Sequence, residues 1–348
     1  MKNGRLSVLT QVLAERVTDK RKISTDETGH IPVMADAVLN SLAPRDGESF
    51  VDGTFGGGGY AEAILKSANC KVWGIDRDPT AVSRGADLAK VYVDRLHVLE
   101  GRFSEMEALL SERGITGIDG VTLDLGVSSF QLNDSDRGFS FQSDGPLDMR
   151  MGASGRSAGE VVNEEDELDL RNLIRTYGEE RHAGRIARAI VFERSREPVR
   201  TTRRLADIVV HAMPKVSRRR HHEIHPATRT FQALRIYVND EIGELKRGLV
   251  AAERLLNPRG RLAVVSFHSL EDREVKQFLR SRSGFRPKTS RHNPPTPEDT
   301  AQPTFDLLFR GVRRPSESEI SHNSRARSAR LRAGVRTLAP LCPAKVSA

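Results

Sequence analysis

Cysteine is almost absent from this chain. Cys70 and Cys342 are the two, far apart in sequence and in no metal-ligand spacing. That usage excludes a disulfide-stapled scaffold and suits a reduced, cytoplasmic protein. Long apolar runs are missing as well: nothing approaches the roughly 18 consecutive residues of a membrane span, so no membrane is expected. The first thirty residues mix Arg16, Lys20, Arg21 and Lys22 with Glu15, Asp19, Asp26 and Glu27 and hold no apolar core, which reads as a polar tail over 1–29 and against a secretory signal.

Two catalytic signatures are also missing. No serine stands in a G-x-S-x-G elbow, so His268 with Ser269, Ser128 or Ser129 does not make a hydrolase, and the serines read as donors and acceptors lining a pocket. His221, His222 and His225 with Glu223 lack the H-E-x-x-H spacing of a helical zinc pair, so no metal is expected. His225, before Pro226, reads as a loop residue at a helix entrance or against RNA.

What is abundant is arginine. The formal net charge of +8 over 348 residues is carried largely by clusters at Arg194 to Arg204, Arg218 to Arg220 and Arg325 to Arg336. The guanidinium fork matches phosphate geometry, so nucleic acid is a candidate partner, beside the plainer reading of solvated charged faces.

Glycine is concentrated in one place. Phe50-Val51-Asp52-Gly53-Thr54-Phe55 runs into Gly56-Gly57-Gly58-Gly59-Tyr60, an apolar strand that meets an acid and then four glycines. Glycines between a strand and a helix admit positive φ and close backbone approach to a ligand. The stretch satisfies the G-x-G-x-x-A dinucleotide fingerprint, yet Asp52 is an awkward neighbour for a pyrophosphate and a good one for the ammonium and sulfonium of S-adenosylmethionine. Both cofactors stay open on this stretch alone.

The rest of the chain adds strands of the same kind. Lys71 to Asp76, Leu96 to Leu99, Gly120 to Leu125 and Arg261 to Ser266 read as strands alternating with helices, a doubly wound α/β pattern. Asp52, Asp76 and Asp124 then fall at strand ends on one edge, where open parallel sheets bind ligands. Asp76 sits where an acid accepts ribose hydroxyls; its alternative role is to cap the helix beginning near Pro79. Phe103, after the third strand, is placed to sandwich an adenine or else is core. Asp124, or a backbone carbonyl after it, is the candidate to accept hydrogens from an exocyclic amine during methyl transfer.

Between the fourth and fifth strands, residues 136–214 hold long irregular loops and then helical periodicity without a credible strand, which predicts an inserted all-helical domain. The flanking segments, 30–135 and 215–348, form the sheet domain. One long helix is expected from Thr228 to the turn at Asn257 to Gly260, Ser269 is expected to cap the helix that follows the fifth strand, Phe305 to Phe309 reads as a late strand, and Ser324 to Arg330 as a basic closing segment.

A series of segments then becomes recognisable: Asp52 to Gly59, Asp124-Leu125-Gly126-Val127-Ser128-Ser129, Arg137-Gly138-Phe139-Ser140-Phe141, Gly145 to Met151, Tyr177 to Arg181, His225 to Gln232, Ser266 to Arg273 and Arg325 to Ser328. From about His30 to Arg332 the chain resembles the MraW-type small-subunit ribosomal RNA methyltransferases. The resemblance implies a class I (Rossmann-like) fold with an inserted helical domain for the substrate. It also implies S-adenosylmethionine as cofactor and methylation of N4 of cytidine 1402, in the usual RNA numbering, in the decoding region of 16S rRNA. By motif matching it places cofactor contacts at Gly58, Gly59, Tyr60, Asp76, Phe103, Asp124 and Gln131; Asp52 is added on charge alone. Tyr60 stands where many members have His, and Phe130 replaces the Pro common before Gln131. A homodimer is left open.

Overall fold

The structure, a computed structural model, describes residues 32–214, 225–284 and 302–341. The tail 1–29, His221, His222, Glu223, Arg218 to Arg220, Cys342 and most of the proline-rich segment before Pro303 lie outside the described residues.

Seven strands form one sheet: β1 (Ser49–Asp52), β2 (Lys71–Asp76), β3 (Leu96–Glu100), β4 (Ile118–Asp124), β5 (Leu256–Ser266), β6 (Phe305–Leu307) and β7 (Arg330–Arg336). Their order is β3-β2-β1-β4-β5-β7-β6, with β1 to β5 parallel and β7 antiparallel to both β5 and β6. The strand order reverses between β1 and β4, which opens the crevice where such sheets take ligands. This is the expected Rossmann-like α/β sheet.

Its strands are apolar because both faces are covered. Phe50 and Val72 point into one core, with Val38, Ile64 and Leu331, while the alternate residues Val51, Trp73 and Ile75 point into the other, with Leu245 and Leu249.

A third core is built mainly from helices. Helices Ala158–Glu164, Glu167–Gly178, Ala183–Arg194 and Thr202–Ala212 bury Val161, Leu170, Ile174, Ile186, Ile190, Leu205 and Val209 together. The helical layer does not stop at 214. Helix Thr228–Asn239 adds Phe231, Ala233 and Leu234 to the same cluster.

Three expectations change. The single long helix is two, because Asp240 adopts left-handed φ 48°; Glu241–Leu255 starts there and packs on the sheet instead. β5 begins at Leu256, and the expected turn at Asn257 to Gly260 is an irregularity inside the strand, with Arg259 at φ 73° and the register against β4 shifting between Ile118 and Gly120. The basic closing segment is a short 3-10 helix, Ser324–Ser328, followed by β7. β7 tolerates its arginines because Arg330 and Arg332 reach Asp272 at 3.1 and 2.7 Å, while Leu331 and Ala333 fill the opposite face.

Candidate active site

Asp52, Asp76 and Asp124 end β1, β2 and β4 on neighbouring tips of the sheet. Asp52 is fully buried, and its two oxygens accept from Thr54 N at 3.3 Å and Ala61 N at 3.2 Å. Burial pushes its carboxyl up to about 7, those two amides lower it, and the charge of Asp76 adds to the rise. Asp76 accepts from Gly56 N at 2.7 Å and Asp78 N at 2.9 Å, yet burial still raises it.

Asp124 differs from both. Its backbone amide donates to Thr54 Oγ1 at 2.6 Å, but its Oδ1 is sealed from solvent with no hydrogen-bond partner among the described residues. Burial, then repulsion from Asp52 and Glu271, holds its carboxyl well above the usual range. An unpaired buried acceptor is costly, and a ligand that brings positive charge or N–H donors relieves it.

The glycine loop is shaped from both sides. Gly58 ends the loop at φ 81°, and a Cβ there would meet Leu88 and Phe55 at 2.8 Å. A Cβ on Gly59 would meet Pro32 at 2.8 Å, and one on Gly57 would meet the Phe130 ring at 2.9 Å. Phe130 in turn carries the Arg84 guanidinium 4.1 Å above its centroid. The buried phenol of Tyr60 donates to the Val33 carbonyl, so position 60 turns only its backbone to the loop.

Phe103 seats its ring over Gly248, where a Cβ would lie 2.3 Å from two ring carbons. Gln131 is buried, with Nε2 donating to Asp78 Oδ2 at 2.9 Å and Oε1 accepting from Ser128 N at 3.0 Å. Asp78 is the residue that sequence reasoning passed over. It caps the helix Pro79–Val91 through Thr80 N at 3.0 Å, which removes the alternative of Asp76 as the cap. Arg137 binds it at 2.8 Å and reaches the carbonyls of Arg150 and Met151 at 3.0 Å each. An acid directly before Pro79 is an N-cap signal that was available in the sequence.

At the neighbouring end of β5, His268 rather than Ser269 caps the helix Ser269–Arg282. Its Nδ1 accepts from Glu271 N at 3.4 Å, and Glu271 Oε2 accepts from Phe267 N at 2.8 Å. The Ser269 hydroxyl donates instead to Glu179 of the helical layer. Glu241 joins His268 and Glu271, their potential ligand atoms lying within 4.8 Å of one another. Arg235 occupies both oxygens of Glu241 at 2.8 Å, so this trio is already supplied with a cation. Burial raises Glu271, but His268 and Arg235 outweigh it and hold the carboxyl below its usual range. His225 is a loop residue that holds a helix entrance: its Nδ1 accepts from Ala227 N at 3.2 Å, and its ring lies 4.6 Å from that of Phe141.

The edge is acidic, and two backbone donors at the loop, the amides of Gly56 and Ala61, are turned to Asp76 and Asp52 and not left for an anion. A cationic ligand with hydroxyls meets complementary groups.

Comparison with known proteins agrees in direction. Residues 27–337 match the MraW methylase family. The ribosomal RNA small subunit methyltransferase H of Rhodospirillum centenum is 58% identical over 311 residues, covering 89% of this chain and 93% of that one. The protein of the same name from Parvibaculum lavamentivorans is 54% identical over 319 residues, covering 92% and 93%.

Proposed function

The chain belongs to the MraW methylase family, and on that premise we propose that its carboxylate-tipped edge receives S-adenosylmethionine and presents it to N4 of cytidine 1402 in the decoding region of 16S rRNA. The activity class is that of an S-adenosylmethionine-dependent methyltransferase of small-subunit ribosomal RNA.

When bound, S-adenosylmethionine supplies a methyl group on a sulfonium that departs as a neutral thioether, so alignment outweighs acid-base chemistry. The chain's residues do the aligning. Gly58, Gly59 and Tyr60 offer backbone at the loop, and Asp52 lies behind it as a buried carboxyl that a cationic ligand draws toward its charged form. Asp76 is the acceptor for ribose hydroxyls, and Phe103 flanks the adenine side. Gln131 acts at one remove, by holding Asp78.

Asp124 is the candidate catalytic residue. Its unpartnered oxygen accepts an amine hydrogen of the cytosine, frees the nitrogen lone pair from the ring and stabilises the positive charge that develops as the methyl arrives. Asp124→Asn, which removes the negative charge and replaces one acceptor oxygen by a donor NH2, is expected to lower turnover about 100-fold or more.

One observation carries this reading: the amides of Gly56 and Ala61 are engaged by carboxylates, while Asp124 Oδ1 has no partner among the described residues. Calorimetry with S-adenosylmethionine and with NAD tests it. Binding of the first alone is expected; binding of NAD alone overturns it. The reading further assigns the protein to the cytoplasm, where its rRNA is found; no helix among the described residues is long and apolar enough to cross a membrane.

A further inference from the structure

The reversed strand has a topological consequence. Because β7 runs antiparallel to β5, with Arg330 opposite Ser266, the chain entering β7 comes from the edge where Asp52, Asp76 and Asp124 lie. The β6–β7 connection, residues 308–329, therefore crowns that edge. Two of its ties to the rest of the fold matter here. Arg313 and Leu331 exchange backbone hydrogen bonds at 3.0 and 2.9 Å, and Arg325 donates to Asn133 Oδ1 at 3.2 Å. Asn133 ends the short helix Ser129–Asn133, which follows Asp124.

This crown is net basic, with Arg310, Arg313, Arg314, Arg325 and Arg327 against Glu317 and Glu319. Arg310, Arg314 and Arg327 are exposed and make no ion pair among the described residues, and Arg313 lies 4.5 Å over the Phe309 ring. In the helical layer several arginines are neutralised instead: Arg150 pairs with Asp148, Arg156 with Glu164 and Glu165, and Arg204 with Glu193. Unpaired guanidinium groups beside a site for a polyanionic substrate match a run of phosphates.

We propose that the β6–β7 connection is the surface that grips the RNA backbone flanking the target base, with Arg310, Arg314 and Arg327 on phosphates. The proposal rests on the rRNA methyltransferase reading and moves the main backbone grip from the inserted helices to the rim of the sheet. Arg325 ties that grip to the segment carrying Asp124, so phosphate contacts set the register of the base at the site.

The test measures binding of the full-length protein to a fluorescein-labelled RNA hairpin of the 16S decoding region over a salt series. Each phosphate contact contributes about 0.7–0.9 to the slope of log affinity on log salt. The triple variant Arg310→Gln, Arg314→Gln, Arg327→Gln is expected to lower that slope by about 2 and to weaken binding at least about 10-fold near 0.1 M salt. Its calorimetric affinity for S-adenosylmethionine stays at the wild-type value, which shows that it is folded. Arg175→Gln with Arg200→Gln, exposed positions on the helical layer, changes the slope less. If the triple variant keeps the wild-type slope and affinity while the wild type methylates RNA, the surface is wrong and the function stands. If the wild type binds S-adenosylmethionine but neither binds nor methylates the RNA, both fail.

Discussion

Gln131 donates its side-chain amide to Asp78 Oδ2 at 2.9 Å, on an oxygen that Arg137 also holds at 2.8 Å. The pair joins the short helix after β4 to the helix after β2, so two walls of the proposed cofactor crevice share one buried carboxylate. Removing one partner of a buried charged pair costs about 3–5 kcal/mol; with Arg137 partly solvated, about 3 kcal/mol is expected for Asp78→Ala. Gln131→Ala is expected to cost about 1 kcal/mol. In urea unfolding of the full chain, the double variant should fall short of the sum by about 1 kcal/mol. Strict additivity would show that Gln131 does not act through Asp78.

The Asp52 carboxyl is pushed up to about 7 from its ordinary 3.8, and if it faces the cofactor as proposed, binding should depend on pH. The folded protein holds this proton more tightly than the unfolded chain. The group's contribution to stability is therefore full below pH 3.8 and is lost as pH rises through about 7. A cationic cofactor instead favours the carboxylate, so its affinity should climb with pH up to about 7 and level off above it. Calorimetry at pH 6 and 8 should show wild-type binding weaker at pH 6 by up to about tenfold, and Asp52→Asn should largely abolish that difference. A wild-type affinity equal at both pH values contradicts the assignment.

Gly248 and Phe103 make a second coupled pair. A Cβ at 248 would stand 2.3 Å from the Phe103 ring, so Gly248→Ala must displace the ring. Overpacking of this kind costs about 1–3 kcal/mol, against about 1 kcal/mol gained from helix propensity. The variant should bind S-adenosylmethionine more weakly although residue 248 is assigned no cofactor contact. In a Phe103→Ala background the same substitution should become neutral or stabilising in thermal unfolding. If it destabilises both backgrounds equally, the ring is not what Gly248 accommodates.

The contrast between β1 and β7 explains what was legible in the sequence. β1, β2 and β4 are covered on both faces, so they appear as short apolar runs, and each ends on an acid that marks the ligand edge. β7 is equally interior, but Arg330 and Arg332 disguise it as a basic tail, because their neutralising partner, Asp272, lies far away in sequence. Asp78 was hidden for a related reason: Thr80 is local, whereas Gln131 and Arg137 become its neighbours only on folding. The break at Asp240 is invisible to periodicity, since Phe231 and Leu234 serve the helical core while Leu245 and Leu249 serve the sheet. Glu241 and Arg235 fall in no recognised segment and meet Glu271 and His268 only through packing.

The most direct test of the central claim is mass spectrometry of 16S rRNA nucleosides and fragments after small subunits lacking the modification are incubated with this protein and methyl-labelled S-adenosylmethionine. The account predicts one added methyl on N4 of cytidine 1402, with the signal nearly lost in Asp124→Asn. Unlabelled RNA, or label on another base or atom, contradicts it.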